Sequence, residues 1–227
     1  MAELVITIDG PAGSGKSTAA RLLAQKLDAV FLDTGAMYRA VTLAAMKAEA
    51  DLKNEEKLLS VLNVNDFKFE AKQTEMFASI NNEDVTEQIR SPEVTANAKY
   101  IASSAKVRQR LVQMQRDFAA RCQKVVTEGR DQGTVAFPDA NIKFFLTADL
   151  CQRAKRRQAE LSAKGINKSI ESIQKAIDQR DKSDSSRTVG PLKPAKDAIP
   201  VDTTGLSIDQ MVDRLFEIVK TKCPNKK

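Results

Sequence analysis

The feature that most constrains this chain lies near its start, where an apolar run meets a glycine-rich segment. The apolar run is Leu4-Val5-Ile6-Thr7-Ile8, and the segment after it is Gly10-Pro11-Ala12-Gly13-Ser14-Gly15-Lys16-Ser17-Thr18. The segment fits the phosphate-binding pattern G-x-x-x-x-G-K-[ST]. Apolar residues at helical spacing come next, namely Ala19, Ala20, Leu22, Leu23, Ala24 and Leu27. This order of strand, loop and helix predicts a P-loop that binds a nucleoside triphosphate.

The residue types of this loop suit the binding of phosphate groups. Gly10, Gly13 and Gly15 allow backbone N–H groups to approach phosphate oxygens where a Cβ atom would collide. The start of the following helix adds the positive end of its dipole. Lys16 supplies a positive charge for the β- and γ-phosphates, and the hydroxyl group of Ser17 is suited to bind Mg²⁺. An ordinary glycine-rich turn between a strand and a helix would not require this lysine and serine.

The absence of histidine narrows the chemistry further. The chain has 227 residues and contains no histidine. Nucleophilic catalysis by a serine–histidine or cysteine–histidine pair is therefore excluded, and so are most catalytic zinc sites. The three cysteines are far apart and odd in number, which is not typical of a disulfide framework. Phosphoryl transfer is the reaction class that relies on positioned charges, carboxylates and Mg²⁺.

Strand and helix patterns alternate along most of the chain, which predicts a parallel sheet with helices on both faces. Beyond the first strand, we expect strands at residues 29–32, 124–127, 142–146 and 198–201, and Pro200 marks the last of these as an edge strand. We expect helices at residues 36–49 and 207–220. Ser207 is suited to cap the second helix, because Gln210 lies three residues further on.

Two stretches depart from this alternation. Residues 67–71 and 76–80 alternate with period 2, which predicts an antiparallel hairpin inserted into the parallel protein. Residues 148–194 are rich in charge and contain Arg153, Lys155, Arg156 and Arg157. These basic residues fit either a solvated helix face or a lid that clamps phosphates, and the P-loop favours the lid.

The predicted fold class is therefore α/β, a P-loop parallel sheet flanked by helices, with a small antiparallel hairpin insert and a helical lid. We expect a single domain over residues 1–227. Its core is predicted at about residues 1–62, 101–147 and 195–222, a nucleotide-acceptor insert at about 63–100, and the lid with its following helix at about 148–194.

Charged residues cluster where predicted strands end and on one predicted helix face. The clusters are Asp33-Thr34-Gly35 with Arg39, Glu128-Gly129-Arg130-Asp131, and Arg180-Asp181-x-x-Asp184-x-x-Arg187. Each cluster alone is compatible with a surface salt bridge. Beside a P-loop, the arginines together indicate a second phosphorylated ligand, because guanidinium groups bind phosphate bidentately. The sequence therefore favours a nucleoside monophosphate kinase over a simple hydrolase.

These blocks resemble those of the bacterial cytidylate kinases, and the resemblance covers nearly the whole chain. The matching blocks are residues 6–18, Asp33-Thr34-Gly35-Ala36-Met37-Tyr38-Arg39, Glu128-Gly129-Arg130-Asp131-x-Gly133-Thr134-Val135, Pro138-Asp139-Ala140, and the Arg180 to Arg187 cluster. The resemblance implies a P-loop nucleoside monophosphate kinase that uses ATP to phosphorylate CMP and dCMP. Its products would be ADP with CDP or dCDP, within pyrimidine nucleotide metabolism.

The resemblance also implies a role for individual residues. It implies that ATP binds residues 10–18, that Ser17 binds Mg²⁺, and that cytosine is read by Thr34, Arg108 and Asp131. Sugar contacts are implied for Arg180 and Asp184, and contacts with the acceptor phosphate and base for Arg39, Arg130 and Arg187. The implied catalytic residues are Lys16, Arg130, Asp131 and the lid residues Arg153 and Arg157. Lys99 stands where the family often carries a serine that touches the base, which leaves fine base discrimination open.

Other functions account for less of the sequence. Another kind of small-molecule P-loop kinase, acting on AMP, UMP or a sugar acid, would contain the same loop. The hairpin insert argues against the compact sugar and shikimate kinases. A GTP switch would need the segment N-K-x-D, which the chain lacks. A nucleic-acid-dependent ATPase is disfavoured, because basic residues exceed acidic ones only by 36 to 30 and aromatic residues make up 5%.

The same observations predict the partners and the location of the protein. No apolar run approaches the length of a membrane span, and Glu3 stands where a secretory signal has basic residues. We therefore expect a cytoplasmic monomer whose partners are small molecules, with no nucleic acid and no membrane.

Overall fold

The computed structural model describes residues 2–72, 75–163 and 165–224, which form an α/β fold. Its strands in chain order are β1 (Leu4–Asp9), β2 (Val30–Asp33), β3 (Phe67–Lys72), β4 (Glu75–Ile80), β5 (Glu83–Asp84), β6 (Lys124–Gly129), β7 (Ile142–Thr147) and β8 (Ile199–Asp202). Five of them form a parallel sheet in the order β2-β6-β1-β7-β8, and β3, β4 and β5 form a second, antiparallel sheet.

The helices connect the strands along the chain, and the last helix follows β8. They are α1 (Lys16–Lys26), α2 (Thr34–Lys47), α3 (Glu55–Val64), α4 (Pro92–Ser103), α5 (Ala105–Ala120), α6 (Leu150–Ser162), α7 (Ile170–Ser185) and α8 (Ile208–Lys222). Within the described residues, no helix combines the length and the apolar character needed to cross a bilayer.

Strand β1 lies at the centre of the parallel sheet, between β6 and β7. Its residues Leu4, Ile6, Thr7 and Ile8 are fully buried, because helices cover both faces of the sheet. Parallel pairing aligns Asp9 with Gly129, so the strands end at one common edge. Ligands of open α/β sheets bind at this edge, where loops leave the carboxyl ends of the strands.

Two apolar clusters account for most of the core. Phe31 and Val126 belong to the cluster that contains α1 and α8, whereas their neighbours Leu32 and Val125 belong to the cluster that contains α2, α4 and α5. Successive strand residues join different clusters because their side chains point to opposite faces. The hairpin β3–β4 joins the second cluster, so it shares the core of α2 and does not form a core of its own.

The predicted fold class is confirmed, and the predicted strands lie within two residues of the observed ones. Strand β8 is an edge strand, as Pro200 indicated, and Ser207 forms the expected capping box with Gln210. The hairpin is also confirmed, but its turn residues Gln73 and Thr74 lie outside the described residues.

The sequence interpretation missed some elements and misjudged one. The short strand β5 and the helices α3, α4 and α5 were not predicted. The expected helix face from Arg180 to Arg187 was wrong at its end, because α7 stops at Ser185. Arg187 nevertheless lies beside Asp184, as the predicted face would have placed it. The chain turns after α7, and the Arg187 guanidinium pairs with the Asp184 carboxylate.

Candidate active site

The P-loop runs from the end of β1 into α1 in the geometry that the sequence predicts. Gly13 has a φ of 76° and Gly15 a φ of 90°, backbone conformations that residues with a Cβ atom rarely adopt. A Cβ atom on Gly10 would overlap the carbonyl oxygen of Leu146 in β7. The loop therefore lies directly against the sheet edge, with α1 beginning at Lys16.

Lys16 is buried at the base of this loop. Its ammonium group donates a hydrogen bond of 2.6 Å to the carbonyl oxygen of Pro11. Burial lowers the pKa of Lys16 to about 7, and the positive charge of Arg130 adds to this shift. The positive charge of Lys16 is thus not fully balanced by negative groups of the protein, which suits a side chain that binds anionic phosphates.

Ser17 connects the P-loop to the neighbouring strand β6. Its hydroxyl group donates a hydrogen bond of 2.9 Å to Oε1 of Glu128, and the backbone oxygen of Glu128 accepts one of 2.8 Å from Thr34. A hydroxyl and a carboxylate oxygen are hard donors of the kind that Mg²⁺ prefers. Mg²⁺ usually keeps several waters and binds one or two protein oxygens, so Ser17 and Glu128 fit this ion.

Asp9 joins β1 to the segment that follows β6. Its two carboxylate oxygens accept hydrogen bonds of 2.9 Å and 2.8 Å from the backbone N–H groups of Gln132 and Gly133. Burial raises the pKa of Asp9 to about 6, although these two hydrogen bonds oppose the shift. Asp9 therefore holds the backbone immediately after Asp131 at a fixed distance from the start of the P-loop.

Asp131, which directly precedes Gln132 and Gly133, forms a buried ion pair with Arg108. Burial raises the pKa of the Asp131 carboxyl, although the charge of Arg108 opposes this shift. The guanidinium of Arg108 lies over the ring of Tyr38 at 5.6 Å, and burial raises the pKa of Tyr38 to about 12. The Nε atom of Arg108 is buried and has no hydrogen-bond partner among the described residues.

The loop after α7 covers this ion pair. Gly190 has a φ of 62°, and a Cβ atom there would overlap both Asp131 and Arg108. Leu192 fixes the loop through a hydrogen bond of 2.9 Å from its N–H group to the carbonyl oxygen of Asp184. The backbone of Gly190 thus lies directly against the pair.

A second group of charges centres on Asp184. Arg130 donates a hydrogen bond of 2.7 Å to Asp184, and Arg187 pairs with the other oxygen of the same carboxylate. Asp184 is buried, whereas Arg180 on the preceding turn of α7 is exposed. Arg39 in α2 lies 3.3 Å from Asp33, and its buried Nε atom has no partner among the described residues.

Comparison with known proteins identifies the family. The family model described as cytidylate kinase matches residues 6–221. A cytidylate kinase of Leuconostoc mesenteroides is 46% identical over 220 residues, which cover 97% of this chain and 98% of the relative. The chain belongs to the cytidylate kinase family. A cytidylate kinase of Bacillus cereus is 44% identical over 94% of this chain and 95% of its own length.

Solved structures agree with the fold at lower sequence identity. The crystal structure of TT1252 from Thermus thermophilus has a TM-score of 0.50 and 17% identity, and it covers 98% of this chain and 99% of the other. An uncharacterized protein from Eubacterium ventriosum has a TM-score of 0.51 and 13% identity over 96% of this chain and 99% of its own. Membership of the cytidylate kinase family confirms the prediction of an ATP-dependent P-loop kinase.

The structure of this cytidylate kinase family member brings most of the predicted site residues to one sheet edge. The predicted residues that lie around the P-loop, the Asp131–Arg108 pair and the group of charges at Asp184 are Lys16, Ser17, Thr34, Arg39, Arg108, Arg130, Asp131, Asp184 and Arg187. Arg153 lies against the P-loop, where it donates to Ala12 and pairs with Asp181. Arg157 is exposed on α6 and pairs with Glu160 at 2.8 Å, away from these contacts.

Several residues of the site were missed by sequence reasoning. Asp9 and Asp181 were noted only as members of matching blocks, with no role of their own, and Gly190 was not noted, because their contacts are made with residues far away in the chain. Glu128 and Tyr38 were quoted only as parts of motifs. Lys99 is exposed and lies 5.0 Å from the ring of Tyr100.

Proposed function

We propose that the protein transfers the γ-phosphoryl group of ATP to the phosphate of CMP or dCMP, giving ADP and CDP or dCDP. The observation that carries this proposal is that only a few residues of the chain separate the contact with the P-loop from the Asp131–Arg108 pair. Glu128 contacts the P-loop residue Ser17, and three residues later Asp131 forms the buried pair with Arg108. A triphosphate on the loop and a base at the pair would therefore place two nucleotides end to end.

The donor site uses the P-loop and two oxygen ligands. Backbone N–H groups of residues 13–18 and the ammonium of Lys16 bind the ATP phosphates. Ser17 and Glu128 would hold Mg²⁺, which when bound neutralises charge on the β- and γ-phosphates. ATP would replace the Pro11 carbonyl as the partner of Lys16, because a phosphate oxygen is the stronger acceptor.

The acceptor site uses the charges on β6 and α7. Arg39, Arg130 and Arg187 bind the acceptor phosphate, and Arg180 with Asp184 binds the sugar hydroxyl groups. Arg130 suits contact with both phosphates, since its charge acts on Lys16 while its side chain pairs with Asp184. These arginines would hold the acceptor phosphate close to the γ-phosphate of ATP, although the two anionic groups repel each other.

Transfer requires no covalent enzyme intermediate. The acceptor phosphate oxygen is already anionic, so it attacks the γ-phosphorus in line while the bond to the β-phosphate oxygen breaks. The protein contributes alignment and charge neutralisation through Lys16 and Arg130. Arg157, exposed on α6, is proposed to close over the phosphates when both nucleotides are bound. Isolation of a phosphoprotein competent for transfer would contradict this mechanism.

The pair of Asp131 and Arg108 is proposed to select cytosine. Asp131 accepts from the amino group at N4, and Arg108 donates to N3 or O2, with Thr34 nearby on α2. Uracil presents a carbonyl oxygen where cytosine has its amino group. A carboxylate facing that oxygen would be repelled and left without its hydrogen bond.

We further propose that the protein is a cytoplasmic monomer that binds neither nucleic acid nor membranes. Its large exposed apolar side chains in the described residues are Val64, Val189 and Ile208, which lie on separate elements. Scattered apolar residues of this kind are typical of a monomer surface. Sedimentation velocity over a range of concentrations tests this proposal, and a concentration-dependent dimer would contradict it.

Product analysis with ATP, Mg²⁺ and a panel of nucleoside monophosphates tests the activity. We expect CDP and dCDP from CMP and dCMP, and much less product from UMP and AMP. Preference for AMP or UMP would point to another monophosphate kinase. Slow GDP formation without an acceptor, or ATP hydrolysis that requires a polymer, would support a GTP switch or a nucleic-acid-dependent ATPase instead.

A further inference from the structure

Both polar backbone groups of the P-loop residue Ala12 are bound by side chains from α6 and α7. The N–H group of Ala12 donates a hydrogen bond of 2.9 Å to Oδ1 of Asp181. The carbonyl oxygen of Ala12 accepts one of 2.9 Å from Arg153. Arg153 also pairs with Asp181 through the same terminal nitrogen, so the three residues form a closed ring of contacts.

Apolar packing fixes the same residue. The methyl group of Ala12 belongs to a small cluster with Ala154 of α6 and Ile173 and Ile177 of α7. A Cβ atom on Gly13 would lie 3.2 Å from the Cβ atom of Arg153, so α6 approaches the loop backbone closely. The two helices therefore hold Ala12 by its backbone and by its side chain.

The contacts of Arg153 engage two of its three guanidinium nitrogens with oxygen atoms of the protein. Its Nε atom donates to the carbonyl oxygen of Ala148 at 3.0 Å, and its NH1 atom serves Ala12 and Asp181. Its side chain is only 10% exposed, and that of Asp181 is 17% exposed. A charged pair this deeply buried depends on its partners, because an unpaired charge in the same position would be costly.

We propose that Asp181 and Arg153 are positioning residues that hold Ala12 in the conformation the P-loop needs to bind ATP. Asp181 and Arg153 engage the N–H and carbonyl groups of Ala12, which leaves the N–H groups of the following loop residues for the phosphates. Asp181 has no assigned role in the sequence interpretation, and Arg153 was predicted to clamp phosphates directly. The proposal rests on the P-loop being the ATP site.

Substitution of Asp181 by Asn tests the proposal with little change of shape. The amide side chain of Asp181→Asn can still accept from Ala12, but it cannot form an ion pair with Arg153. We expect the affinity for a Mg²⁺-bound imido analogue of ATP to fall at least about tenfold, as is typical when a supporting residue is removed. The affinity for CMP alone should change less than about twofold, which also reports that the variant is folded. Asp178→Asn on the same helix is the matched control, because the side chain of Asp178 is 43% exposed and pairs with Lys182, away from the P-loop.

A double-mutant cycle separates positioning from direct phosphate binding. Arg153→Lys keeps the charge but loses the planar fork that reaches Ala148, Ala12 and Asp181 together. If both residues act through Ala12, the double variant should bind the ATP analogue no more weakly than the weaker single variant. Unchanged affinity for the ATP analogue in Asp181→Asn would overturn the proposal. So would losses of affinity that add in the double variant, together with a fall in turnover that is seen only in Arg153→Lys. A wild-type protein that does not bind the analogue would instead refute the P-loop assignment itself.

Discussion

The hydroxyl group of Ser17 donates a hydrogen bond of 2.9 Å to Oε1 of Glu128, so this contact joins the P-loop to strand β6. Glu128→Gln keeps the shape of this contact and removes its negative charge. We expect turnover to fall about tenfold to a hundredfold and the Mg²⁺ concentration for half-maximal activity to rise. Rates measured over a range of Mg²⁺ concentrations check this, with exposed Glu217→Gln as the control. An unchanged Mg²⁺ requirement would remove Glu128 from the metal site.

Lys16→Ala removes the charge that strengthens its contact as the γ-phosphoryl group is transferred. We expect turnover to fall about a hundredfold or more, because such contacts act mainly in the transition state. The fold should survive, since the ammonium of Lys16 makes its hydrogen bond with a single carbonyl oxygen, that of Pro11. Steady-state rates and a thermal unfolding curve measure the two effects. Near-normal turnover would mean that the triphosphate binds elsewhere.

The lowered pKa of Lys16 predicts that ATP binding takes up protons. In the free protein this pKa is about 7, and a bound triphosphate raises it by favouring the ammonium form. The complex then holds more protons than the free protein above that pH, so ATP affinity falls as the pH rises. Calorimetry at about pH 8 in buffers of different ionisation enthalpy should detect uptake of up to about one proton. The uptake should be absent in Lys16→Ala, and equal uptake in both proteins would assign it to another group.

Base selection by Asp131 predicts a measurable preference between nucleotides. We expect UMP to be a poorer substrate than CMP by about tenfold to a thousandfold, or about 1.4 to 4 kcal/mol. Asp131→Ala should narrow this gap mainly by harming CMP, and Arg108→Ala should weaken both substrates. Values of kcat/KM for CMP, dCMP and UMP provide the test. An Asp131→Ala protein with full discrimination would show that another group reads the base.

The predicted lid role of Arg157 is tested separately from that of Arg153. Arg157 is exposed and pairs with Glu160, three residues along the same helix, a contact that contributes little to stability. If Arg157 closes over the phosphates, Arg157→Ala should reduce turnover more than it weakens CMP binding. The exposed residues Lys53 and Lys57 provide controls, and equal small effects at all three sites would make Arg157 an ordinary surface charge.

The motifs predicted the P-loop and the sheet well because both depend on residues close together in the chain. The strand before Gly10 and the helix after Lys16 are a local pattern, and β1 and α1 follow it. Helix α3 was missed although its signal is local. Leu58, Val61 and Leu62 stand at the i, i+3, i+4 spacing of a helix, and Asn54 caps its start.

The site was predictable where a motif carries the chemistry and unpredictable where a long-range contact does. The sequence marks Arg153 as one basic residue in a basic run, and nothing in that run tells a backbone contact from a phosphate contact. Its partner Ala12 lies 141 residues away. Asp9 lies in a matching block, but its role was not predicted, because the N–H groups from which it accepts hydrogen bonds belong to Gln132 and Gly133.

The position of β1 at the centre of the sheet has a consequence for synthesis on the ribosome. β1 is translated first, yet its two neighbours begin at Lys124 and Ile142, and Asp181 lies 169 residues after Ala12. The P-loop therefore has no sheet edge beneath it until more than half of the chain has emerged. Until then, the apolar strand remains unpaired and exposed to aggregation, and ATP has no formed site through which it could stabilise the nascent chain.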